Sequence, residues 1–177
     1  AEPVEVTGRA VVVLRISCSA VDTDFTAKLI DVYPPNEDYP EGYDMLINDS
    51  IIRCRYRNGF QQEELMEPGS EYDVRILLPP TSNLFAAGHR IRVDISSSNF
   101  PRLERNPNTG EPIGRHTPEV VADNTLHRGR IVLPVNPAGA TGRPTRAGPL
   151  RRARTRRART PPATKTTRGQ PDAPARA

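Results

Sequence analysis

The chain has 177 residues and a formal charge of +4, which is the sum of two oppositely charged parts. Residues 138–177 hold 11 of the 25 lysines and arginines but one of the 21 acids, so residues 1–137 carry a net charge of −6. No apolar run reaches the roughly 18 residues of a membrane span, and the N-terminal residues lack the segments of a signal peptide. These features exclude a membrane-spanning helix and favour a cytoplasmic location.

Apolar residues at alternate positions predict β strands through most of residues 1–137. The first segment, residues 10–16, is apolar at nearly every position, which predicts a strand covered on both faces. The later segments alternate apolar with polar residues, as half-buried strands of an antiparallel sheet do. In chain order they are residues 25–29, 52–56, 72–78, 91–95 and 131–135.

Clusters of proline, glycine and asparagine lie between these segments and predict turns. Short strands separated by such turns are typical of a sandwich or barrel, and no segment has the helical spacing or the βαβ order of an α/β-hydrolase. We therefore predict an all-β domain over residues 1–137. The predicted turns fall at residues 34–36, 58–59, 68–69, 79–80, 87–88 and 106–110.

Residues 138–177 consist mainly of alanine, arginine, threonine, proline and glycine, and we predict a disordered tail because they cannot bury enough apolar surface to fold. The arginines of residues 151–159 would attract polyanions by charge, but the tail has no aromatic ring for base stacking, so nucleic acid is not a predicted partner. With 23 arginines and 2 lysines in the chain, GC-rich coding explains the tail more simply than a functional basic arm does.

Candidate catalytic residues are few. The Gly-x-Ser-x-Gly elbow of an α/β-hydrolase nucleophile does not occur. Ser96, Ser97 and Ser98 directly follow a predicted strand, where hydrogen bonding at an edge or loop explains them better than catalysis, which needs a base and an orienting group as well. We predict no catalytic, cofactor-binding or metal-binding residue in this chain.

The three histidines match no zinc-ligand spacing. His89 begins a predicted strand and is expected to hydrogen-bond a loop carbonyl, whereas His116 and His127 are placed in or beside loops. Each is a formal candidate for a general base, but none has a predicted nucleophile beside it.

Asp22, Asp24 and Asp31 suggest a calcium site, but they lack the spacing and glycine of an EF-hand loop. The preferred hypothesis is structural: Asp22 and Asp24 accept hydrogen bonds from backbone amides at a tight corner, and Asp31 pairs with an arginine. The alternating arginines of the 52–56 strand offer such partners or form a solvated face. They are Arg53, Arg55 and Arg57.

The two cysteines, Cys18 and Cys54, lie within apolar segments. A free buried thiol behaves as a small apolar side chain, whereas a disulfide needs closely placed Cβ atoms on neighbouring strands. Since two cysteines do not make a disulfide framework, we favour free thiols.

Four blocks, in this order along the chain, resemble the C-terminal domain of the CocE/NonD family of serine hydrolases, of the Xaa-Pro dipeptidyl-peptidase C-terminal type. Residues 123–127 and 132–134 continue the match, which covers residues 1–137 but not the basic tail. The blocks are residues 4–8 (VEVTG), 22–34 (DTDFTAKLIDVYP), 51–57 (IIRCRYR) and 81–110.

This resemblance implies a galactose-binding-like jelly-roll β-sandwich whose first strands precede Ala1, so we expect an N-terminally truncated fragment. It also implies that the serine, acid and histidine of the triad belong to an α/β-hydrolase domain normally in the same chain. The intact parent would hydrolyse esters or the peptide bond after an Xaa-Pro dipeptide, with possible homo-oligomer contacts, no cofactor and no membrane association. The fragment alone is expected to be inactive.

Two further alternatives stay open. A stand-alone carbohydrate- or ligand-binding jelly roll is the second functional class, although the chain has no tryptophan and only five tyrosines and four phenylalanines for stacking on sugars. Within the loop at residues 99–101, Phe100 is either an anchor for the hydrolase domain or a plug at the end of the sandwich, the plug being the simpler interpretation.

Overall fold

The computed structural model describes residues 2–115 and 118–137, all within the first compact unit of the chain, Ala1–Thr141. The predicted disordered tail at 138–177 and the candidate base His116 lie outside the described residues. Over the part described, there is no helix of the length and apolar character needed to cross a bilayer.

In the described residues, six strands form two antiparallel three-stranded sheets that pack face to face, which confirms the predicted all-β sandwich. Sheet A has the strand order β4-β1-β6, and sheet B has the order β3-β2-β5. A 3-10 turn, Cys54–Tyr56, follows β3. The strands are β1 Val4–Cys18, β2 Asp24–Tyr33, β3 Tyr43–Arg53, β4 Glu71–Phe85, β5 Arg90–Ser96 and β6 Asn124–Val132.

The core lies between the two sheets and follows the predicted alternation. Every second residue of β1 from Ala10 to Cys18 is buried, because side chains alternate between the faces of a strand. The intervening Val11 and Val13 are half-buried on the outer face, so the prediction that residues 10–16 are covered on both faces is wrong. That strand is instead β2, where only Lys28 and Tyr33 are not fully buried.

Three further boundaries differ from the sequence prediction. Pro79 and Pro80 lie within β4 and form no turn, which β4 tolerates because it is an edge strand and its register shifts there. The strand predicted at 52–56 ends at Arg53. The last strand starts at Asn124, which places His127 in β6 rather than in a loop, and Val135 makes only an isolated bridge with Val6.

The sandwich has one closed side and one open side. The sheets come together along β3 and β4, and no comparable contact joins β5 to β6 among the described strands. Between these two edges lies an apolar gap of about 270 Å³. Its apolar lining side chains are Val12, Leu14, Val93, Ile95, Leu126 and Ile131.

Candidate functional site

The longest connection between described strands is the loop from β5 to β6, whose described residues are 97–115 and 118–123. Its first part is fixed to β3 through Asp49, which accepts a 2.8 Å hydrogen bond from Asn99 and pairs with Arg102 at 3.0 Å. Ser96 at the end of β5 bonds Thr26 of β2 at 2.8 Å. This connection is called the β5–β6 loop, and through Asn106 it also bonds Asp24 at the start of β2.

Ser96 and Ser98, at the start of the β5–β6 loop, make the edge and loop hydrogen bonds that the sequence predicted. Ser96 donates to the carbonyl of Ser98 at 2.6 Å, and the Ser98 hydroxyl accepts the backbone N–H of Phe100 at 3.3 Å. These bonds shape the turn that presents Phe100. No described histidine or carboxylate bonds any of the three serines, so the arrangement needed to activate a nucleophile is not found there.

The middle of the β5–β6 loop is held by a buried group of charged and amide side chains, which we call the corner cluster. Asp22 accepts the Arg55 Nε–H at 2.8 Å and the Arg55 backbone N–H at 2.9 Å. Asp24 accepts two hydrogen bonds from Arg53, at 3.0 and 3.1 Å. The cluster consists of Asp22, Asp24, Arg53, Arg55 and Asn106.

Asn106 joins the two ion pairs of the corner cluster. Its Nδ2 donates to Asp22 at 2.9 Å and to Asp24 at 2.8 Å. The loop residue therefore bridges two carboxylates whose residues are at most 1 % exposed. Charge-assisted hydrogen bonds of this kind are stronger than neutral ones, so the cluster fastens the loop to the corner between β1 and β2.

Burial sets the electrostatics of the corner cluster. It raises the pKa of Asp24 above its usual value, against the lowering effect of Arg53 and Asn106. The hydrogen bonds that Arg53 donates to Asp24 in turn raise the pKa of the Arg53 guanidinium. Asp24 thus depends on these donors to remain charged, and all the oxygens that a cation would need already accept hydrogen bonds. Asp22 accepts a backbone amide, as the structural hypothesis expects, whereas Asp24 accepts hydrogen bonds from the side chains of Arg53 and Asn106 instead.

Arg55 is the residue of the corner cluster whose position the sequence analysis predicted wrongly. The alternation of residues 52–56 put it on a cationic strand face, but the 3-10 turn directs its side chain inward, where it is 2 % exposed. There it pairs with Asp22 and donates to the Glu111 carbonyl at 3.0 Å. The sequence did contain a signal for this placement, because Asp22 and Asp24 are two acids that can pair with the arginines at 53 and 55.

Asp31 and His89 also differ from their predicted partners. Asp31 is expected to pair with an arginine and His89 with a loop carbonyl, but the two bond each other, with 2.9 Å between Nδ1 and Oδ1. The His89 ring lies against Tyr33, with 4.2 Å between the ring centroids. His127 contacts the Ser17 hydroxyl at 2.9 Å on the outer face of sheet A. These contacts give the histidines structural partners.

The end of the β5–β6 loop turns sharply against the domain. Gly110 has φ +74°, and a Cβ there would lie 3.0 Å from Val21 and 3.1 Å from Leu65, so a larger residue would be strained and crowded. Asn108, at φ 62°, donates through Nδ2 to the Val120 carbonyl at 2.8 Å. The β5–β6 loop therefore has a fixed conformation around Asn108 and Gly110.

An exposed apolar and charged area, the loop platform, lies on this loop. Phe100 is 66 % exposed, which contradicts its interpretation as a plug. The Arg105 guanidinium carbon lies 5.4 Å from the centre of its ring, and Arg105 pairs with Glu119 at 3.0 Å. Beside them is a cleft of about 410 Å³. The platform consists of Phe100, Arg105, Glu119, Val120 and Val121.

The described residues offer little other chemistry. Cys18 and Cys54 are free and buried, as predicted, and burial raises the pKa of both thiols. Thiols of that kind are poor nucleophiles at neutral pH. Within residues 2–115 and 118–137, no group of three or more histidine, cysteine or acidic side chains is placed to hold a metal ion.

Comparisons with known proteins agree on one family. The model for the X-Pro dipeptidyl-peptidase C-terminal non-catalytic domain matches residues 1–131. The cocaine esterase of Rhodococcus sp. (strain MB1 Bresler) is 48 % identical over 141 residues, 76 % of this chain and 24 % of that protein. The chain therefore spans about a quarter of the length of this relative.

Solved structures show the same fold. An alpha-amino acid ester hydrolase matches with a TM-score of 0.70 and 32 % identity, over 76 % of this chain and 24 % of its own. An aminopeptidase from a marine sediment archaeon, Thaumarchaeota archaeon, matches with a TM-score of 0.72 and 33 % identity, over 77 % and 24 %. A CocE/NonD family hydrolase from Staphylococcus aureus, at 15 % identity and a TM-score of 0.54, shares the fold.

Proposed function

Because this chain belongs to the family of X-Pro dipeptidyl-peptidase C-terminal non-catalytic domains, we propose that it acts as the accessory domain of a CocE/NonD-type serine hydrolase and has no hydrolase activity alone. The observation that carries the proposed role is the loop platform. Phe100 is displayed on a loop that the corner cluster holds in place, and it plugs no part of the sandwich.

The platform has the composition of a protein-docking surface. Aromatic and arginine side chains supply much of the binding energy in interfaces, and Phe100 and Arg105 already lie against each other. Because Asn106 and Gly110 fix the loop, binding would cost little conformational entropy. We propose that Phe100 packs against the α/β-hydrolase domain and that the platform helps to wall the substrate cleft.

We propose an acyl ester as the substrate class of the parent enzyme. Two of the relatives above at 30 % identity or more are named as ester hydrolases, and one as an aminopeptidase. In this mechanism a serine of the hydrolase domain is acylated by the substrate and then released by water. Cleavage after an Xaa-Pro dipeptide is the alternative substrate class.

A chimaera tests the accessory role. The quarter of Rhodococcus cocaine esterase that matches this chain is replaced by the chain, and cocaine hydrolysis is measured for the chimaera, the truncated esterase and the chain alone. We expect activity in the chimaera only. A folded but inactive chimaera, or hydrolysis by the chain alone, would contradict the proposal.

Phe100→Ala in that chimaera tests the platform. We expect the variant to lower kcat/KM or the thermal midpoint of the chimaera while leaving the stability of the isolated chain unchanged. Phe60→Ala is the matched control, since Phe60 is 78 % exposed and lies outside the loop. Equal effects of the two substitutions would remove Phe100 from the interface.

Three further proposals concern the end of the folded domain, the oligomeric state of the parent enzyme and its location. We propose that the folded domain ends near Pro137, that the parent forms a homo-oligomer and that it is cytoplasmic, where free thiols such as Cys18 and Cys54 are usual. Limited proteolysis with mass spectrometry tests the first, light scattering of the full-length parent tests the second, and cell fractionation tests the third.

A stand-alone binding module is the second candidate, and one cleft favours it. The cleft has a volume of about 730 Å³ and is lined by Tyr33, Tyr43, Asp44 and Arg90, among others. Tyr39 stacks on Tyr43 with 4.8 Å between ring centroids. Amphipathic rings beside hydrogen-bonding groups suit a sugar. Saturable oligosaccharide binding that Tyr43→Ala abolishes, together with an inactive chimaera, would favour this function.

A further inference from the structure

A cleft of about 470 Å³ lies on the outer face of sheet A, and five of its nine lining residues are arginines. We call it the arginine cleft. The five are more than a third of the 14 basic side chains in residues 1–137, a segment whose net charge is −6. The cleft is therefore a positive site on an acidic domain. Its arginines are Arg15, Arg57, Arg75, Arg128 and Arg130.

The register of sheet A places three of these arginines around one floor. Arg75 of β4 and Arg130 of β6 both lie opposite Val13 of β1, so their Cα atoms are about 10 Å apart, which is two strand spacings. Arg128 lies opposite Arg15, and a bound anion would remove the repulsion between these like charges. Arg75, Arg128 and Arg130 form no ion pair with any residue that the structure describes. Their charges are therefore available to a ligand.

The other two arginines of the cleft are positioned by the fold. Arg15 pairs with Glu71 at 2.9 Å and with Asp73 at 3.3 Å, so Asp73, the one acid of the lining, is itself neutralised. The Arg57 side chain is 9 % exposed, and its guanidinium carbon lies 4.5 Å from the centre of the Tyr72 ring. The cleft thus needs little reorganisation to receive an anion.

The strands that we expect to precede Ala1 would leave the arginine cleft open. A strand paired with the free edge of β6 would extend sheet A within its own plane, beyond Arg130, whereas the cleft lies on the face of the sheet. The floor of the cleft is β1, and its sides are β4, β6 and the residues that follow the turn Cys54–Tyr56. The apolar gap between the sheets opens on the inner face, through Val12 and Leu14.

We propose that the arginine cleft binds a chain of linked phosphates, either a free polyphosphate or the triphosphate of a nucleotide. A guanidinium donates two parallel hydrogen bonds to a phosphate, and phosphates in a row can satisfy arginines on both sides of the floor. The volume of the cleft suits a small ligand. No aromatic ring for stacking on a base is among the described residues that line it, so the phosphates and not the nucleoside are recognised.

The test follows the arginine Nε–Hε resonances of the full chain by NMR while tripolyphosphate is added at physiological ionic strength. We expect saturable shifts of Arg75, Arg128 and Arg130. Residues 138–177, with 11 basic residues and one acid, attract phosphate as well, so affinity is determined from the resonances of the cleft and not from total binding.

Three comparison ligands define what the cleft recognises. AMP carries one phosphate, and hexaglutamate carries single charges on a flexible chain, so we expect both to bind at least about tenfold more weakly than tripolyphosphate. ATP distinguishes the two sources of the phosphate chain. Affinity for ATP within about threefold of tripolyphosphate would support a nucleotide as well as free polyphosphate, and binding of tripolyphosphate alone would support free polyphosphate.

Paired substitutions make the test specific. Arg75→Gln/Arg130→Gln is expected to weaken tripolyphosphate binding at the remaining cleft arginines by about tenfold or more. The matched control is Arg9→Gln/Arg90→Gln, which removes the same charge from exposed arginines outside the cleft. It should leave affinity within about threefold, because screening limits the reach of charge.

A conservative pair separates the shape of the guanidinium from its charge. Arg75→Lys/Arg130→Lys keeps the charge but loses the planar fork, so its affinity should fall between those of the native chain and the glutamine variant. Urea denaturation checks that each variant is folded, which we expect because Arg75 and Arg130 are exposed.

Several results would overturn the proposal. They are cleft resonances that do not shift, equal weakening by the two glutamine variants, and binding of AMP or hexaglutamate as tight as that of tripolyphosphate. A calorimetric titration of the chimaera with Rhodococcus cocaine esterase, with and without Arg75→Gln/Arg130→Gln, tests whether the hydrolase domain covers the cleft. Equal binding by these two forms would also overturn the proposal. The titration of the chain alone does not involve the hydrolase domain, so its outcome is independent of the proposed accessory role.

Discussion

The corner cluster and the outer edge of β6 both contain arginines, but they use them in opposite ways. In the corner cluster, Arg53 and Arg55 lie against carboxylates and their charges are satisfied inside the fold. On β6, Arg128 and Arg130 face solvent with no described carboxylate within ion-pair distance. The comparison teaches that the partner of an arginine, and not its presence in a strand, decides whether its charge is satisfied inside the fold.

The free energy of burying a charge explains the difference. An unpaired charge inside a protein is strongly unfavourable, and in the corner cluster the carboxylates accept hydrogen bonds from both arginines and from the Asn106 amide. An unpaired charge in water costs little and stays available to a ligand. If this comparison holds, substitutions in the corner cluster should lower the free energy of unfolding far more than substitutions of the β6 arginines.

The largest expected effect is at Arg55. Arg55→Met would leave Asp22 charged and buried without its main partner, and we expect the free energy of unfolding to fall by about 3–5 kcal/mol. Urea denaturation measures it, with Arg75→Met as the control, because Arg75 is exposed on β4. A loss no greater than that of Arg75→Met would mean that the cluster does not stabilise the domain.

Asn106 should have the next largest effect. Asn106→Ala removes two hydrogen bonds to carboxylates, and we expect the free energy of unfolding to fall by about 2–3 kcal/mol, with faster amide exchange in the β5–β6 loop. Asn58→Ala is the control, since Asn58 bonds the exposed Glu64. Unchanged exchange in the loop of the Asn106 variant would show that something else fixes the loop.

Much of the fold was accessible from sequence because period-two alternation reports directly on a half-buried strand. That rule placed the inward rows of β2, β4 and β5, and the resemblance of residues 1–137 identified the family. Alternation failed at Arg55, where it continues into a 3-10 turn, and the proline turn signal failed at Pro79, where an edge strand tolerates proline. In both cases the tertiary context, which a local pattern does not contain, decided the conformation.

The site was predicted less completely than the fold. The structural role of Asp22 was accessible from residue type and loop context, whereas the exposure of Phe100 contradicts the simpler interpretation of it as a plug. Asn106 was missed, because its two partners lie more than 80 positions away. Which of the described strands have an unpaired edge was also missed, since that depends on strand order, which alternation does not determine.

A smaller effect, of opposite sign, is expected on β6. Arg128→Gln removes a charge that lies opposite Arg15, so the free energy of unfolding should stay constant or rise by up to about 0.5 kcal/mol. Arg15→Gln, which breaks the pairs with Glu71 and Asp73, should not stabilise the domain. Both are measured by urea denaturation. A clear destabilisation by Arg128→Gln would place Arg128 with the structural arginines and weaken the distinction between the two regions.

The smallest expected effect concerns Glu71, which pairs with Arg15 beside the unpaired arginines of β6. The hydrogen bond from Arg15 lowers the pKa of Glu71 below its ordinary value of 4.5, so the folded state favours the charged form. A carboxyl with a lowered pKa stabilises the fold above its unfolded pKa, and this contribution is lost as the pH falls through the folded pKa. An NMR titration of the Glu71 carboxyl should show the lowered pKa in the native chain and a return toward 4.5 in Arg15→Met. The same titration in Arg128→Met should leave the pKa lowered, because Arg128 makes no contact with Glu71. If Arg128→Met raised it as much as Arg15→Met, Glu71 would interact with the β6 arginines too, and the distinction between the two regions would be weaker.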